Sequence, residues 1–400
     1  MNNSTTLNEL GFKWEISMNI LVTGAKGFIG RNLVSQLYNI QNGKAKNYAI
    51  SGQKINIFEY DIDSDLDELN VYCENADFVF NLAGVNRPKE QAEFMKGNWG
   101  ETFTLLNKLK EYGNKCPVMI SSSIQAAWNN PYGESKRAGE QLMFDYATET
   151  GVKVLVYRFP NVFGKWCRPN YNSVVATFCN NIANDLPIQV NDSSAVISLV
   201  YVDDVVNELI ASLSGAEHYE GRYCVVPEFY SVKLEEIVDL LYSFKKNREN
   251  LSVPDLSNVF EKKLYSTYLS YLPTDQFSYQ LKINTDHRGS FTEIIRSNDR
   301  GQFSVNITKP HIVKGNHWHH TKNEKFVVVS GEGVIRFRNM CHPDSKVIEY
   351  HVSGDKIEVV DIPIGYTHNI ENTGETDLIT FIWCNECFDL NNPDTYFEEV

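Results

Sequence analysis

Two side chains that could move a proton stand four residues apart in Tyr132-Gly133-Glu134-Ser135-Lys136. This segment is predicted to open a helix that runs to about Glu149, and four residues make about one helical turn, so Tyr132 and Lys136 share a face. A nearby ammonium group favours the phenolate and lowers the pKa of the tyrosine, which makes it useful for proton transfer. The run Ser121-Ser122-Ser123 ends the preceding strand, where side chains reach a ligand, so Ser123 could hydrogen-bond a substrate carbonyl.

A second group of reactive side chains lies in the last part of the chain. Eight of the nine histidines follow residue 280, and the densest run is His317-Trp318-His319-His320, with Glu324 close behind. Residues two apart in a strand point the same way, so His317 and His319 are expected to face inward and His320 outward. Together with Glu324 and the distant His368, they predict a divalent metal site, with zinc the metal expected and one coordination position open. A lone histidine would more often be structural.

The elements that position these groups begin at 20–30, where an apolar strand runs into three glycines spaced three apart. Gly24 permits a tight turn, Gly27 lets the backbone approach a pyrophosphate, and Gly30 lets the following helix pack on the strand. That helix offers its free N–H groups to the phosphates. A dinucleotide site is therefore predicted, which argues against reading the Tyr–Lys pair as ordinary surface residues. The cofactor contacts expected here are Gly24, Lys26, Gly27, Phe28 and Ile29.

Beyond the glycines, apolar runs alternate with helical patterns, at 55–60, 77–82, 117–121 and 152–159. Such alternation predicts an α/β doubly wound fold, a parallel sheet with helices on both faces. The segment after the second predicted strand, 51–54, has no acidic residue for an adenosine 2′-hydroxyl, and Lys54 could meet the 2′-phosphate of NADP(H). Asp61, at the end of the third predicted strand, either contacts the adenine or begins a solvated acidic run.

After Ile283 the apolar period changes to two, and short runs separated by Gly and Pro turns predict an all-β sandwich or barrel. These runs are 302–308, 325–329, 334–338, 356–360 and 378–383. Between the two patterns, the irregular residues 251–280 are predicted to be an interface segment between domains or subunits. The predicted organisation is an extension at 1–17, a first domain at 18–250, this interface segment, and a second domain at 281–400.

The composition limits the classes of function. The 400 residues are 42% apolar and 22% charged with a net charge of −14, which is typical of a soluble globular chain and argues against nucleic acid binding. No apolar run reaches the roughly 18 to 20 residues that span a bilayer, so no membrane association is expected. The first residues lack a secretory signal, and scattered cysteines indicate reduced thiols in a cytoplasm. Cys384 and Cys387 have the spacing of a metal or redox pair, but no second such pair accompanies them.

The motifs of the first domain resemble those of the extended short-chain dehydrogenase/reductases that act on nucleotide sugars. The resemblance covers residues 18–245 and rests on these segments: 23–30, 81–84, the serine run, Tyr132 with Lys136, 158–164 and 201–205. It implies that Tyr132 is the acid/base, that Lys136 binds the cofactor ribose and tunes this pKa, and that Ser123 binds the carbonyl. The further contacts that it implies are Leu82 and Ala83 for the cofactor, and Asn86, Arg87, Asn161, Lys165 and Arg168 for the nucleotide sugar.

Two departures from that family narrow the expected reaction. Its dehydratases carry an Asp-Glu pair directly after the serine or threonine, for eliminating water, whereas Ile124-Gln125 follow Ser123 here. Dehydration therefore lacks its acid and base. The connection from Ser123 to Tyr132 is also short for the family, so substrate contacts usually made from that loop are expected from elsewhere.

The second domain resembles the cupins. Its first motif is His317-x-His319-x4-Glu324-x6-Gly331, with His311 where a glycine is usual, and its second motif is Pro363-x-Gly365-x2-His368-x3-Asn372. The segment 286–293 is similar to a strand of the keto-sugar epimerase cupins, which use a histidine base at the position of His317 and no metal. His317 is therefore either a metal ligand or a proton-abstracting base.

The full His/His/Glu/His set favours the metal. A bound metal would acidify a C–H next to a carbonyl, and His320, Lys322 or Lys325 could then supply the base.

From residue 18 onward, the chain resembles the bifunctional capsular polysaccharide enzymes of the CapF type, which join a reductase to a cupin. The resemblance rests on the domain order and on 131–136, 163–167 and 315–322. It implies that the cupin epimerises C3 of a UDP-4-keto-6-deoxy-N-acetylhexosamine and that the reductase then reduces C4 with NADPH. The implied product is UDP-N-acetyl-6-deoxy-L-talosamine, on the way to UDP-N-acetyl-L-fucosamine, and a homodimer is expected from the family.

Three alternatives stay open from the sequence alone. The cupin could be a structural module beside a plain 4-ketosugar reductase, although the intact metal ligands argue against this. The chain could instead be a non-catalytic NADP-dependent sensor or sugar-binding scaffold, which the intact Tyr132 and Lys136 disfavour. A C4 epimerase that retains NAD is the third alternative, and it would need no added reductant.

Overall fold

The computed structural model describes residues 17–297, 299–341, 344, 346–391 and 393–400. The chain divides into two compact units: residues up to Leu241 with Lys263–Tyr271, and Tyr242–Lys262 with Leu272–Val400. The predicted extension at 1–17 lies outside the described residues except for Ser17. None of the helices in the described part of the chain combines the length and apolar character that a bilayer crossing requires.

The first unit is built on a largely parallel sheet. Its strands are β1 Met18–Thr23, β2 Ile55–Tyr60, β3 Phe78–Asn81, β4 Val118–Ser123, β5 Val154–Phe159, β6 Asn161–Phe163, β7 Val196–Tyr201, β8 His218–Glu220, β9 Tyr223–Val225 and β10 Tyr230–Lys233. The main sheet has the order β2-β1-β3-β4-β5-β9-β8, with β1 to β5 parallel, and a smaller sheet has the order β10-β7-β6. Strands that run parallel bring their carboxyl ends, where loops can bind a ligand, to one edge.

Helices cover both faces of the main sheet. The helices of the described chain are α1 Phe28–Gln41, α2 Leu66–Asn75, α3 Ala92–Met95, α4 Glu101–Glu111, α5 Pro131–Thr150, α6 Val174–Ala183, α7 Val202–Ser212, α8 Leu234–Asn250 and α9 Val259–Leu269, with a π-helix at Lys96–Gly100 and 3₁₀ turns at Ile124–Ala127 and Thr274–Gln276. Of these, α8 and α9 contain residues of both units, and the turn at Thr274–Gln276 belongs to the second unit. Along β1, Ile20 and Val22 belong to the core on one face, and Leu21 belongs to the core on the other. A strand buried on both faces is typical of the α/β doubly wound class, so that prediction is confirmed.

One predicted strand is wrong, and the error moves two candidate residues. Residues 47–53 form bends and turns, because Gly52, with φ of +85°, ends an apolar run too short for a strand. The strand at Ile55–Tyr60 is therefore the second strand of the sheet. It pairs directly with β1, with Met18 opposite Ile55 and Thr23 opposite Tyr60.

The segment 251–280 contains the helix α9, where the sequence suggested irregular structure. Its Lys263 belongs to the first unit, and its Nζ donates to Asp204 at 2.7 Å and to Glu228 at 2.9 Å. The Tyr230 hydroxyl accepts from the same ammonium at 2.8 Å. These polar contacts are long-range in sequence, which is why no local pattern predicted them.

The second unit is all β, in two antiparallel sheets. Its strands are β11 Ile283–Asp286, β12 Gly289–Ser297, β13 Gly301–Thr308, β14 Val313–Trp318, β15 Glu324–Ser330, β16 Glu332–Asn339, β17 Ile348–Ser353, β18 Val359–Ile362, β19 Tyr366–Asn372, β20 Leu378–Cys384 and β21 Tyr396–Phe397. The sheets have the orders β11-β12-β13-β20-β15-β18 and β17-β16-β19-β14-β21. A core that includes Phe326, Ile335 and Leu378 lies in this unit. This arrangement confirms the predicted cupin-like class.

Removing a large side chain from the first core should destabilise that unit. Phe80 is fully buried, so Phe80→Ala is expected to lower the free energy of unfolding by about 3–5 kcal/mol, through lost apolar contact and an unfilled cavity. Guanidinium chloride unfolding monitored by circular dichroism would measure the change. Phe229 is 62% exposed, so Phe229→Ala is the matched control and should stay within about 0.5 kcal/mol of the parent. Equal effects from the two variants would contradict this account of the core.

Two candidate active sites

The glycine loop of the first unit has the shape of a dinucleotide site. Gly24 follows β1 with φ of +67°, and a Cβ there would lie 2.7 Å from the backbone nitrogen of Ala83. Only glycine at this position therefore allows the loops after β1 and β3 to meet. Their contact places Leu82 and Ala83, which follow β3, beside the glycine loop. The helix α1 begins at Phe28 after Gly27, and the N–H groups of its first turn have no partner within the helix. This cradle fits the pyrophosphate of a nicotinamide dinucleotide.

The structure separates the two residues expected near the adenosine ribose. Lys54 accepts a hydrogen bond from Met18 N, at the start of β1, so it lies at the amino ends of the strands. Six residues of strand, about 20 Å, separate it from the glycine loop, and the predicted contact of Lys54 with a 2′-phosphate is not supported. Asp61 directly follows β2, and its Oδ2 accepts the N–H of Lys26 in the glycine loop at 2.7 Å. A carboxylate at this position hydrogen-bonds a ribose 2′-hydroxyl and repels a 2′-phosphate.

The serine, tyrosine and lysine of the predicted catalytic set lie together. Ser123 is the last residue of β4, and its hydroxyl is close enough to Tyr132, in the first turn of α5, to influence the pKa of that phenol. This helix starts where it does because Asn130 caps it, its Oδ1 accepting Gly133 N at 2.7 Å, with a proline as the first helical residue. Lys136 follows one turn later. Its Nζ lies 5.8 Å from the Tyr132 ring centre and donates to Ser121 O at 3.0 Å.

Burial has the largest effect on the pKa values of Tyr132 and Lys136. It raises the pKa of Tyr132 to about 12, against the opposing hydrogen bond from Ser123. It also lowers the pKa of Lys136 to about 8, against the opposing charge of Glu140. The expected lowering of the tyrosine pKa by Lys136 is not found, because the ammonium points to the Ser121 carbonyl and desolvation outweighs it. Tyr132 therefore keeps its proton at neutral pH, as a proton donor must.

Sequence reasoning missed two polar residues that hold this set. Glu140 is buried one turn after Lys136, and its carboxylate accepts from Ser122 Oγ at 2.5 Å and from both Nε and Nη2 of Arg158, at 2.8 and 2.6 Å. The four-residue spacing from Lys136 could have identified it. Asn98, in the π-helix, accepts from Val85 N and donates to Ser135 Oγ, each at 3.0 Å. No local signal in the sequence marks Asn98.

The residues predicted to bind substrate lie on several loops of the first unit. Asn86 and Arg87 follow Gly84, where a Cβ would lie 3.1 Å from Lys136 Nζ. Asn161 begins β6 and donates from its side chain to Ser198 O at 3.0 Å. The remaining two lie on the loop after β6: Lys165 pairs with Asp203 at 2.5 Å, and the Arg168 guanidinium lies 5.5 Å from the Tyr171 ring.

The four predicted metal ligands of the second unit converge. Their ligand atoms all lie within 4.8 Å of one another, on His317, His319, Glu324 and His368. Gly315 explains how, because its φ is +103° and a Cβ there would lie 2.9 Å from the backbone of Asn369. The close approach brings β14 against β19, so that His317 pairs with His368. His319 lies just past the end of β14, which ends at Trp318, and the register of β14 against β19 shifts between Gly315 and His317.

The donor set fits a divalent cation. Nε2 of His319 and of His368 lie 3.6 and 3.3 Å from Oε2 of Glu324, and these buried atoms have no hydrogen-bond partner among the described residues. Burial and the neighbouring His368 lower the pKa of His317 to about 4. Burial raises the pKa of Glu324, but the two rings outweigh it and hold the carboxyl well below its usual range. Imidazole nitrogens and a carboxylate oxygen are ligands that zinc prefers.

These ligands line a cavity of about 450 Å³. Lys322 also lines it and is buried, whereas Lys325 points to the other face of β15 and pairs with Asp361, so Lys325 does not reach the cavity. His320 is exposed and does not line the cavity. Sequence reasoning missed Lys314, whose Nζ donates to Asn306 Oδ1 at 2.8 Å and whose pKa is lowered by burial.

The thiol of Cys384 lies in the same cavity. Its Sγ is 3.1 Å from Glu324 Oε1, beside the ligand cluster. It therefore contacts a predicted metal ligand, and the spacing to Cys387 does not by itself define a separate pair.

A dinucleotide loop beside a Ser–Tyr–Lys set, followed by a cupin with a four-donor cluster, defines a nucleotide-sugar dehydrogenase/reductase joined to a cupin. Residues 20–223 match the NAD dependent epimerase/dehydratase family, and residues 284–396 match the polysaccharide biosynthesis C-terminal domain.

Individual relatives span nearly the whole chain. The crystal structure of the capsular polysaccharide assembling protein CapF from Staphylococcus aureus is 55% identical, covers 96% of this chain and 100% of that chain, and has a TM-score of 0.88. The UDP-2-acetamido-2,6-beta-L-arabino-hexul-4-ose reductase of Pseudomonas aeruginosa is 41% identical over 379 residues, covering 95% of this chain and 98% of that protein. UDP-glucuronic acid decarboxylase 6 of Arabidopsis thaliana is 28% identical over 261 residues, covering 56% of this chain and 74% of the relative.

The chain therefore belongs to the NAD-dependent epimerase/dehydratase family and, over nearly its whole length, to the CapF type within it. This confirms the resemblance that the motifs indicated.

The position of Asp61 can be tested by cofactor binding. Asp61→Ser is expected to increase the affinity for NADPH relative to NADH about tenfold, because it removes a negative charge that repels the 2′-phosphate. Titrations followed by nicotinamide fluorescence would measure both dissociation constants. Lys54→Ser is the matched control and should leave the ratio unchanged. If the ratio of NADPH to NADH affinity changed in the Lys54 variant and not in the Asp61 variant, the adenosine ribose would bind near Lys54, as the sequence predicted.

Proposed function

We propose that this protein converts a UDP-4-keto-6-deoxy-N-acetylhexosamine in two steps, with one active site in each unit. The cupin unit epimerises C3, and the first unit then reduces the C4 ketone with a reduced nicotinamide dinucleotide. The product would be UDP-N-acetyl-6-deoxy-L-talosamine, for capsular precursors such as UDP-N-acetyl-L-fucosamine. One observation carries the proposal: the chain holds both complete sets of groups, Ser123 with Tyr132 and Lys136 beside a dinucleotide loop, and four converging metal-binding side chains in a cavity.

The relatives support the substrate class. The Pseudomonas aeruginosa protein is named as the reductase of a UDP-linked hexul-4-ose, which is a sugar with a ketone at C4. CapF is described as a capsular polysaccharide assembling protein. With its family established, this protein is an enzyme, a nucleotide-sugar 4-ketoreductase and epimerase of capsular polysaccharide biosynthesis. A homodimer and a cytoplasmic location stay predictions from the family.

Reduction needs a proton for the oxygen of the ketone. When bound, the reduced nicotinamide supplies a hydride to C4. Tyr132 donates the proton to the C4 oxygen, since its raised pKa keeps the phenol protonated at neutral pH. Ser123 hydrogen-bonds the same oxygen and orients it toward the phenol. Lys136 binds the cofactor ribose and places positive charge near the phenolate that proton transfer leaves behind.

Epimerisation needs a base that removes the C3 proton and an acid that returns a proton to the opposite face. The C4 ketone acidifies that proton, and a divalent metal held by His317, His319, Glu324 and His368 would supply positive charge for the enolate that forms. Lys322 is the base we propose, because it alone of the three candidates lines the cavity. Solvent would re-protonate C3, so the reaction should exchange this hydrogen with water.

The order of the two steps can be followed by proton NMR in deuterium oxide. Incubating the enzyme with the UDP-4-keto-6-deoxy-N-acetylhexosamine should replace hydrogen at C3 by deuterium, because the C3 proton passes to solvent. Adding NADPH should then convert the C4 ketone to an alcohol. Reduction with no prior exchange would reduce the cupin to a structural module and make the protein a plain 4-ketosugar reductase.

Tyr132→Phe should abolish reduction and leave C3 exchange intact. Loss of the proton donor is expected to lower kcat for NADPH oxidation by at least about 100-fold. Absorbance at the nicotinamide band would measure turnover, and NADPH binding should persist because the variant removes only a hydroxyl. Simultaneous loss of C3 exchange in the folded variant would contradict the two-site account.

His317→Ala should abolish C3 exchange and leave C4 reduction intact. Removing one of four ligands is expected to lower the metal content and abolish C3 exchange, while C4 reduction continues with substrate that is already epimerised. Elemental analysis of the purified protein would measure the metal. Full metal content together with lost exchange would assign His317 as the base instead of a ligand.

A matched pair of lysine variants separates the base from the ligands. Lys322→Met should keep the metal and lose exchange, and Lys325→Met should keep both, because Lys325 pairs with Asp361 outside the cavity. Loss of exchange in Lys325→Met alone would overturn the assignment of Lys322.

A further inference from the structure

One of the metal ligands is held by a residue of the carboxyl-terminal segment. Nδ1 of His319 lies 2.6 Å from the backbone carbonyl oxygen of Asp394. A carbonyl can only accept, so Nδ1 must carry the hydrogen and donate it. In a neutral ring this leaves the lone pair on Nε2, which faces Glu324 Oε2 at 3.6 Å and has no hydrogen-bond partner among the described residues. The carbonyl of Asp394 therefore sets the tautomer that a metal requires.

The side chain of the same residue holds the loop that joins two ligands. The Asp394 carboxylate accepts backbone N–H groups from His320 at 3.0 Å, from Thr321 at 2.8 Å and from Lys322 at 2.9 Å. It also accepts the Thr321 hydroxyl at 3.0 Å. These four donors fix the turn between His319 and Glu324.

Asp394 is in turn held by the strand that follows it. The strand β21 pairs with β14, with Phe397 opposite His317 and Tyr396 opposite Trp318. The Tyr396 ring lies 5.2 Å from the Trp318 ring and 5.1 Å from the His320 ring. Beyond the strand, Glu398 N donates to Asn316 O at 2.9 Å.

A cavity residue joins the same segment to the ligand loop. The hydroxyl of Thr395 accepts from Lys322 Nζ at 3.4 Å, and both residues line the cavity. Hydrogen bonds and strand pairing therefore hold the segment 394–398 against β14 and against the loop that follows it.

We propose that Asp394 is the positioning residue of the metal centre, so that the carboxyl-terminal segment completes a site whose ligands all lie elsewhere. Its carbonyl orients His319 and its carboxylate fixes the loop that leads to Glu324. Outer partners of this kind typically change metal affinity about 10- to 100-fold when they are removed. The inference rests on the proposed metal centre, and the two can fail separately.

The test uses full-length protein stripped of metal and then titrated with Zn²⁺ against a chromophoric chelator. Asp394→Ala is expected to weaken zinc binding about 10- to 100-fold, because the loop loses its acceptor. Asp394→Asn keeps one acceptor oxygen and should fall between the parent and the alanine variant. Asp389 accepts only the N–H of Asn391, at 2.9 Å, among the hydrogen bonds of the described residues. Asp389→Ala is therefore the matched control and should bind zinc like the parent.

A spectroscopic measurement separates positioning from a general loss of structure. The parent loaded with Co²⁺ should show the visible bands of its ligand geometry, and Asp394→Asn at saturating Co²⁺ should show shifted bands with unchanged far-ultraviolet circular dichroism. Zinc affinity and cobalt bands equal to the parent in both Asp394 variants would overturn the inference and leave the metal centre standing. A parent that binds neither metal would overturn the metal centre and the inference together.

Discussion

Charged groups held out of water are the constraint on which both units depend. In the first unit, Lys136 is buried and donates to a backbone carbonyl, and the charge of the nearby Glu140 partly offsets its desolvation. Glu140 is itself paired with Arg158 by two hydrogen bonds, which ties α5 to β4 and β5. Removing one member of such a buried set leaves an uncompensated charge, which costs several kcal/mol. The same set that makes the site reactive therefore also fixes the elements that carry it.

In the second unit, the buried polar groups are not all paired with one another. Its cavity gathers three imidazoles and one carboxylate with several buried ligand atoms unpaired among the described residues. Backbone geometry keeps them together, since the close approach at Gly315 sets His317 against His368. A divalent cation would satisfy all four groups at once. The proposed metal would offset the cost of gathering these four groups, as the proposed cofactor and substrate would offset the cost of burying Lys136.

Patterns that are local in sequence predicted much of this protein. The Tyr132 and Lys136 pair, the glycine loop and the change to period two each depend on residues a few positions apart, so spacing alone indicated their elements. The predictions failed where the position of a residue depends on a strand boundary or on a contact with a distant part of the chain. Gly52 ends an apolar run that looked like a strand, and this moved Lys54 to the wrong end of the sheet and Asp61 to the glycine loop. The sequence leaves Lys325 among three candidate bases, yet strand alternation turns it away from the cavity.

The sequence by itself determined the classes of the two units and the identity of the candidate chemistry, because side-chain period and short motifs follow from the covalent chain. Only the tertiary structure decided which charges face each other. Glu140 beside Ser122, Lys322 within the cavity and Asp394 against His319 are contacts between residues that lie apart in the sequence or on different elements. The tyrosine shows the difference most directly. Its spacing to a lysine suggested a lowered pKa, but the folded protein buries the phenol and turns the ammonium to a carbonyl, so desolvation decides the sign.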